Sequence, residues 1–133
     1  MKKYERLYEF IPYFETVSEE EVIRWSGSKK DAAGTLTFSY PIYDQQVLDF
    51  IKICSSTDLL DYHYLETIKL YGVSMEEGQE DTIRCADQRL VAAILTYYVR
   101  QERFCDGLWA IAIKNKVFLH LLNRLLELEN KDN

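Results

Sequence analysis

Four chemically versatile side chains fall within five positions late in the chain: Glu102, Arg103, Cys105 and Asp106, in the run QERFCDG over 101–107. Asp106 has the chemistry of a general acid or base, Cys105 that of a nucleophile, and Arg103 that of an anion clamp. A nucleophilic cysteine needs an activating base. The histidines, His63 and His120, are distant in sequence and reach the cluster only if folding brings them there. A plainer reading uses the same residues structurally. Asp106 caps a helix, Cys105 packs, and an arginine–carboxylate pair holds two helices at an angle. Caps and packed thiols are common, so this reading is preferred.

Two further arginines extend the cluster. Arg89, Thr96, Arg100 and Arg103 are separated by seven, four and three residues and share one face of a helix, with Ala93 completing the row. Guanidinium forks grip carboxylates and phosphates bidentately, so the row is a candidate anion site. The simpler alternative is a solvated stripe whose arginine stems cover apolar surface.

These residues must be carried by the segment from Asp87 to Leu128, which holds the longest apolar periodic runs of the protein. Leu90, Ile94 and Tyr97 fall at helical spacing, and Val91, Leu95 and Tyr98 repeat it one residue later. A helix apolar nearly all round is buried on most sides, and Ala92 and Ala93 allow a neighbour to approach closely. The turn Arg103–Gly107 breaks this helix, with Asp106 capping the next and Gly107 relieving the backbone. A short helix then runs to about Asn115 and a last one from about Val117 to Glu127. His120, Asn123, Arg124 and Glu127 form the polar side of the last helix.

The preceding chain supplies three more helices. Tyr4, Leu7, Tyr8 and Ile11 predict one over 3–11, which Pro12 should end or kink. Asp44, with Tyr43 and Leu48 as a hydrophobic staple, opens one to about Cys54. Asp61, with Leu60 and Leu65, opens another to Tyr71, closed by Gly72. Val22–Trp25 and the alternating stretch Thr35–Tyr40 predict a small hairpin near residues 22–40, which must lie on the helices because a two-stranded ribbon is marginal alone. The expectation is therefore a mainly α, single-domain bundle spanning 1–133, with about six helices and one small β-hairpin.

Composition narrows the function. The formal net charge is −6 and the hydrophobic fraction 47% over 133 residues. That fits a folded domain and argues against general nucleic-acid binding, which needs clustered positive charge. Two acidic runs, Glu19–Glu20–Glu21 and Glu76–Asp81 (Glu76, Glu77, Glu80 and Asp81), are usually only solvating. They can also form an acidic surface that engages a basic partner. Ten tyrosines suit either a core whose hydroxyls reach the surface or an interface. Cys54, Cys85 and Cys105 are odd in number, without C-x-x-C spacing, and read as free thiols of a reducing cytoplasm. A zinc site from these and the two histidines lacks the usual close ligand pairs, so no metal and no cofactor is expected. No phosphate loop, dinucleotide-binding glycine pattern, nucleophile elbow or zinc-binding helix motif is present. Neither a membrane-spanning run nor a secretory leader is evident, so no membrane partner is expected.

The stretches Tyr4–Leu7 and Glu9–Glu15, together with Arg103–Phe104–Cys105–Asp106–Gly107, resemble an uncharacterised family of small acidic bacterial or phage proteins, known only as a domain of unknown function. The R-F-C-D-G turn is the most specific part of the resemblance, and the polar region 19–39 fits it least. It implies a cytoplasmic protein of bacterial or phage origin and carries over no catalytic residue. Two functions follow as expectations. The first is a non-enzymatic macromolecule-binding or inhibitory module acting through its acidic or tyrosine-rich surface. The second is a small enzyme or nucleotide- or anion-binding protein using Arg100, Arg103, Cys105 and Asp106, with a pocket at the turn. Homodimerisation through the last helix is a third possibility.

Overall fold

The computed structural model describes residues 2–26, 40–76 and 78–131. The near-continuous apolar run in the last third folds as expected into α7 (Gln88–Gln101), which is buried from Leu90 to Thr96 and again at Tyr98 and Val99. Asp87 starts it by accepting the Leu90 amide at 2.9 Å. A 3-10 turn (Glu102–Phe104) leads to α8 (Leu108–Lys114), and α9 (Val117–Lys131) closes the chain. α9 is the hub, touching α1 (Glu5–Tyr8), α2 (Ile11–Thr16), α6 (Glu80–Arg84), α7 and α8. Around it Phe14, Phe50 and Phe118 pack edge-on or tilted, with Phe14 and Phe50 at 4.8 Å and Phe50 and Phe118 at 5.1 Å between ring centres.

The first expected helix divides in two. Its break falls at Glu9–Phe10, and Pro12 lies inside the first turn of α2, where its missing N–H costs no helical hydrogen bond. The acidic run is itself a turn of helix, α3 (Glu19–Val22). Ser18 and Glu21 form a capping box there, with the Ser18 amide and hydroxyl both donating to Glu21. The hairpin is present, but its described second strand lies later than expected. β1 (Ile23–Trp25) pairs antiparallel with β2 (Pro41–Tyr43), and Trp25 stands opposite Pro41. The alternating stretch 35–39 lies outside the described residues. Pro41 is tolerated because it opens the strand.

α4 (Gln45–Ser56) begins after Asp44 as expected, yet Asp44 makes no side-chain cap; its carboxylate instead accepts the Tyr13 hydroxyl at 2.6 Å. Leu48, the expected staple partner of Tyr43, is 42% exposed. Asp61 likewise stops short of capping. It accepts the His63 amide at 2.8 Å and the Thr67 hydroxyl at 2.6 Å, the N-cap position passes to His63, and α5 (Tyr64–Leu70) starts two residues late with Leu65 facing outward. Gly72, at φ 69°, closes α5 in the left-handed conformation as the sequence implied.

Candidate functional site

The middle of the arginine row is not the wet side of α7. Ala93 and Thr96 are both fully buried, because α5 lies across them with Tyr64 and Ile68 against Ala93. Thr96 accepts the Asp61 amide at 2.9 Å and donates to the Ala92 carbonyl at 2.6 Å. Arg89 is left exposed at one end of the row. Arg100 stacks over the Tyr62 ring at 5.6 Å and Arg103 over the Phe104 ring at 4.7 Å. Two of the three guanidiniums are thus laid on aromatic faces, and the row is interrupted by buried side chains.

The cluster 102–106 divides just as sharply. Arg103, Phe104, Cys105 and Asp106 are exposed, and Glu102 alone turns inward. Glu102 is 9% exposed, and its carboxylate accepts three hydrogen bonds. One oxygen takes the Tyr43 hydroxyl at 2.6 Å and the Trp109 amide at 2.8 Å; the other takes the Gly107 amide at 2.8 Å. Glu102 therefore does the capping work expected of Asp106, reaching forward from the end of one helix to the free N–H groups at the start of α8. Asp106 makes no cap, since the N-cap position is Gly107 in the left-handed region at φ 92°. Cys105 is not packed, and Arg103 meets a ring where a carboxylate was expected.

The corner also receives the hairpin. The Tyr43 ring lies 5.1 Å from that of Trp109, and a side-chain carbon at Gly107 would come within 3.1 Å of the Trp25 ring. Trp109 donates its indole N–H to the Tyr98 carbonyl at 2.8 Å. Burial, reinforced by the Glu102 carboxylate, pushes the Tyr43 hydroxyl above the usual phenol range. The geometry at 102–109 is that of a clasp: one carboxylate joins α7, α8 and the strand pair.

The pairing of tyrosine with a carboxylate recurs. Tyr4 donates to Asp58, Tyr8 to Glu129, Tyr13 to Asp44 and Tyr71 to Asp87, while Tyr98 donates to Gln79. These hydroxyls tie elements together. Tyr40 and Tyr62, at 58% and 70%, are the exposed exceptions.

The surface carries several depressions. One of about 190 Å³, between α6 and α9, is lined by Arg84, His120, Asn123 and Arg124. Its guanidiniums are already met by carboxylates, Arg84 by Glu80 at 3.4 Å and Arg124 by Glu127 at 3.1 Å, so it carries little net charge. A larger groove of about 420 Å³ adjoins it at His120. Its lining joins apolar Met75, Leu108, Ile111 and Val117 to polar Gln79, Tyr98 and Asn115; its acidic rim is Glu76 and Glu80, and among the described residues no Lys or Arg lines it. Tyr98 is buried there, its hydroxyl pushed up to about 12 by burial.

The two acidic candidates line different depressions. Glu20 and Glu21 border one with Arg24, Tyr43 and Asp44. Glu19 lies 3.9 Å from Lys114, and Asp81 pairs with Arg84 at 3.5 Å. Glu77 lies outside the described residues. Sequence reasoning found the rim but not the walls. Met75, Tyr98, Ile111 and His120 come from four segments, and only the exposure of Ile111 on an otherwise apolar helix departs from simple core patterning. Among the described residues no group of three His, Cys, Asp or Glu is placed to hold a metal, and no helix is long and apolar enough to cross a membrane.

No curated protein and no solved structure matches the chain. A family model does, over residues 1–131, and its description is a family of unknown function, DUF6508. The R-F-C-D-G turn, which prompted the resemblance to an uncharacterised family, is the outer surface of the Glu102 clasp, and the chain belongs to the DUF6508 family.

Proposed function

We propose that this protein is a non-enzymatic binding module that engages a basic partner protein through its acidic surface. The observation that carries the reading is the groove with Met75, Leu108, Ile111 and Val117 in its lining and Glu76 and Glu80 at its rim, to which no Lys or Arg among the described residues contributes. A concave apolar surface edged by charge of one sign suits recognition of the opposite sign. The rival reading, a reaction or anion site on Arg100, Arg103, Cys105 and Asp106, has less to stand on. Both arginines stack on rings, and the buried Glu102 carboxylate is taken up by Tyr43, Gly107 and Trp109. The setting we propose is the bacterial cytoplasm, with the protein of bacterial or phage origin and inhibiting a host system whose own surface is basic. The net charge of −6 supports that setting, since it suits competition for a groove built for phosphates.

Photo-crosslinking tests the reading. A benzophenone amino acid is placed at Ile111 in the groove or at Phe104 on the clasp, both exposed, and each protein is irradiated in lysate of the source organism. A discrete hetero-adduct at 111, weakened by salt and lacking at 104, supports the proposal. Equal adducts at both positions, none at either, or only a dimer of the chain itself would reject it.

A further inference from the structure

Resting on the binding-module reading, we infer that the groove beside His120 is a socket for a single arginine or lysine side chain of the partner protein. Such a side chain needs an apolar channel for its methylene stem and a carboxylate at the end for its head. Met75, Leu108, Ile111 and Val117 supply the channel, and Glu76 stands at the rim. Glu80 is the second acceptor. Its contact with Arg84 is an exposed ion pair at 3.4 Å, with side chains 64% and 68% exposed, which contributes little and exchanges readily for a better-desolvated cation.

The acidic rim marks the end of the groove that takes the charged head, since the guanidiniums of the neighbouring depression are already met by carboxylates. A guanidinium is favoured over an ammonium, because its planar fork can address two carboxylates at once. At about 420 Å³ the groove exceeds one side chain, leaving room for the flanking backbone of an extended segment.

Calorimetric titration of the full chain tests this with three peptides of equal length, built on arginine, lysine or citrulline, the uncharged isostere of arginine. The arginine peptide should bind at least tenfold more tightly than the citrulline peptide, with lysine between. Glu76→Gln should weaken arginine binding about twofold to fivefold. Glu20→Gln, which removes the same charge elsewhere, should leave it unchanged. Ile111→Trp, filling the groove from an exposed position, should abolish it without moving the thermal midpoint. Equal affinity for arginine and citrulline, equal losses for Glu76→Gln and Glu20→Gln, or undiminished binding to Ile111→Trp would each overturn the socket. If Ile111→Trp still captures the cellular partner, the socket is wrong and the binding-module reading stands.

Discussion

Replacing Glu102 with alanine removes the acceptor of three hydrogen bonds and leaves the Tyr43 hydroxyl and the Gly107 and Trp109 amides without it. A buried polar group left unsatisfied costs about 1–3 kcal/mol. Three independent losses would exceed the stability of many domains. The residues just outside, Arg103 to Asp106, are exposed, so water reaches part of the opened corner. We therefore expect Glu102→Ala to cost about 2–4 kcal/mol. Glu102→Gln keeps an oxygen for Tyr43 and Trp109 but turns an amide N–H toward the Gly107 amide, so it should cost about 1–2 kcal/mol. For a chain of this length each kcal/mol lowers Tm by about 3–5 °C. Urea unfolding should be followed by far-UV circular dichroism and by tryptophan fluorescence. Both tryptophans, Trp25 and Trp109, sit at this corner, so fluorescence reports the clasp while dichroism reports the helices. In the alanine variant the fluorescence transition should precede the dichroism transition. Tyr43→Phe should cost about 1–2 kcal/mol and couple to Glu102→Gln in a double-mutant cycle. A loss below about 0.5 kcal/mol for Glu102→Ala, within the range of ordinary surface substitutions, would refute the clasp.

Arg103→Ala and Asp106→Ala, both at exposed positions of the same turn, should each stay within about 0.5 kcal/mol of the parent by urea unfolding. Gly107→Ala forces a side chain into the left-handed region at φ 92° and within 3.1 Å of Trp25; it should cost about 1–2 kcal/mol and shift the Trp25 emission. Stability should fall above pH 10, because burial raises the hydroxyls of Tyr8, Tyr13, Tyr43 and Tyr98 above their ordinary value of 10.0. The unfolded chain then releases protons that the folded chain retains, so the stabilisation is intact below pH 10 and is lost as pH rises. For Tyr98, titrating at about 12 when folded, the loss reaches roughly 2–3 kcal/mol past pH 12. Thermal midpoints that stay flat between pH 9 and about 12 would contradict this.

How much was legible in the sequence follows from the range over which each signal acts. Helical periodicity is local, so α7 and α9 were readable from Leu90–Val99 and Phe118–Leu125. Gly72 was readable because a left-handed helix terminus acts within a few residues. Asp44, Asp61 and Asp106 carry an equally local signal, that of an N-cap, yet none caps its helix. Tyr13 and Thr67 draw off the first two carboxylates, and Glu102 takes the place of the third. Tyr43 and Glu102 are 59 residues apart, and nothing in either neighbourhood marks the pairing. The arginine row was read as a wet face because α5 covering Ala93 and Thr96 is a tertiary fact. The groove was hidden for the same reason, being assembled from Met75, Tyr98, Ile111 and His120 on separate segments.

The exposed turn at 103–106 and the recognition groove beside Glu76 are distinct surfaces, and a residue-by-residue map of ligand response tests that separation most directly. Methyl and amide NMR spectra of the full chain should be recorded while the arginine peptide is added. The account predicts shifts at the Met75 and Ile111 methyls and the His120 amide, with the Arg103, Cys105 and Asp106 amides unmoved. Shifts concentrated at 103–106, with Met75 and Ile111 silent, would contradict it.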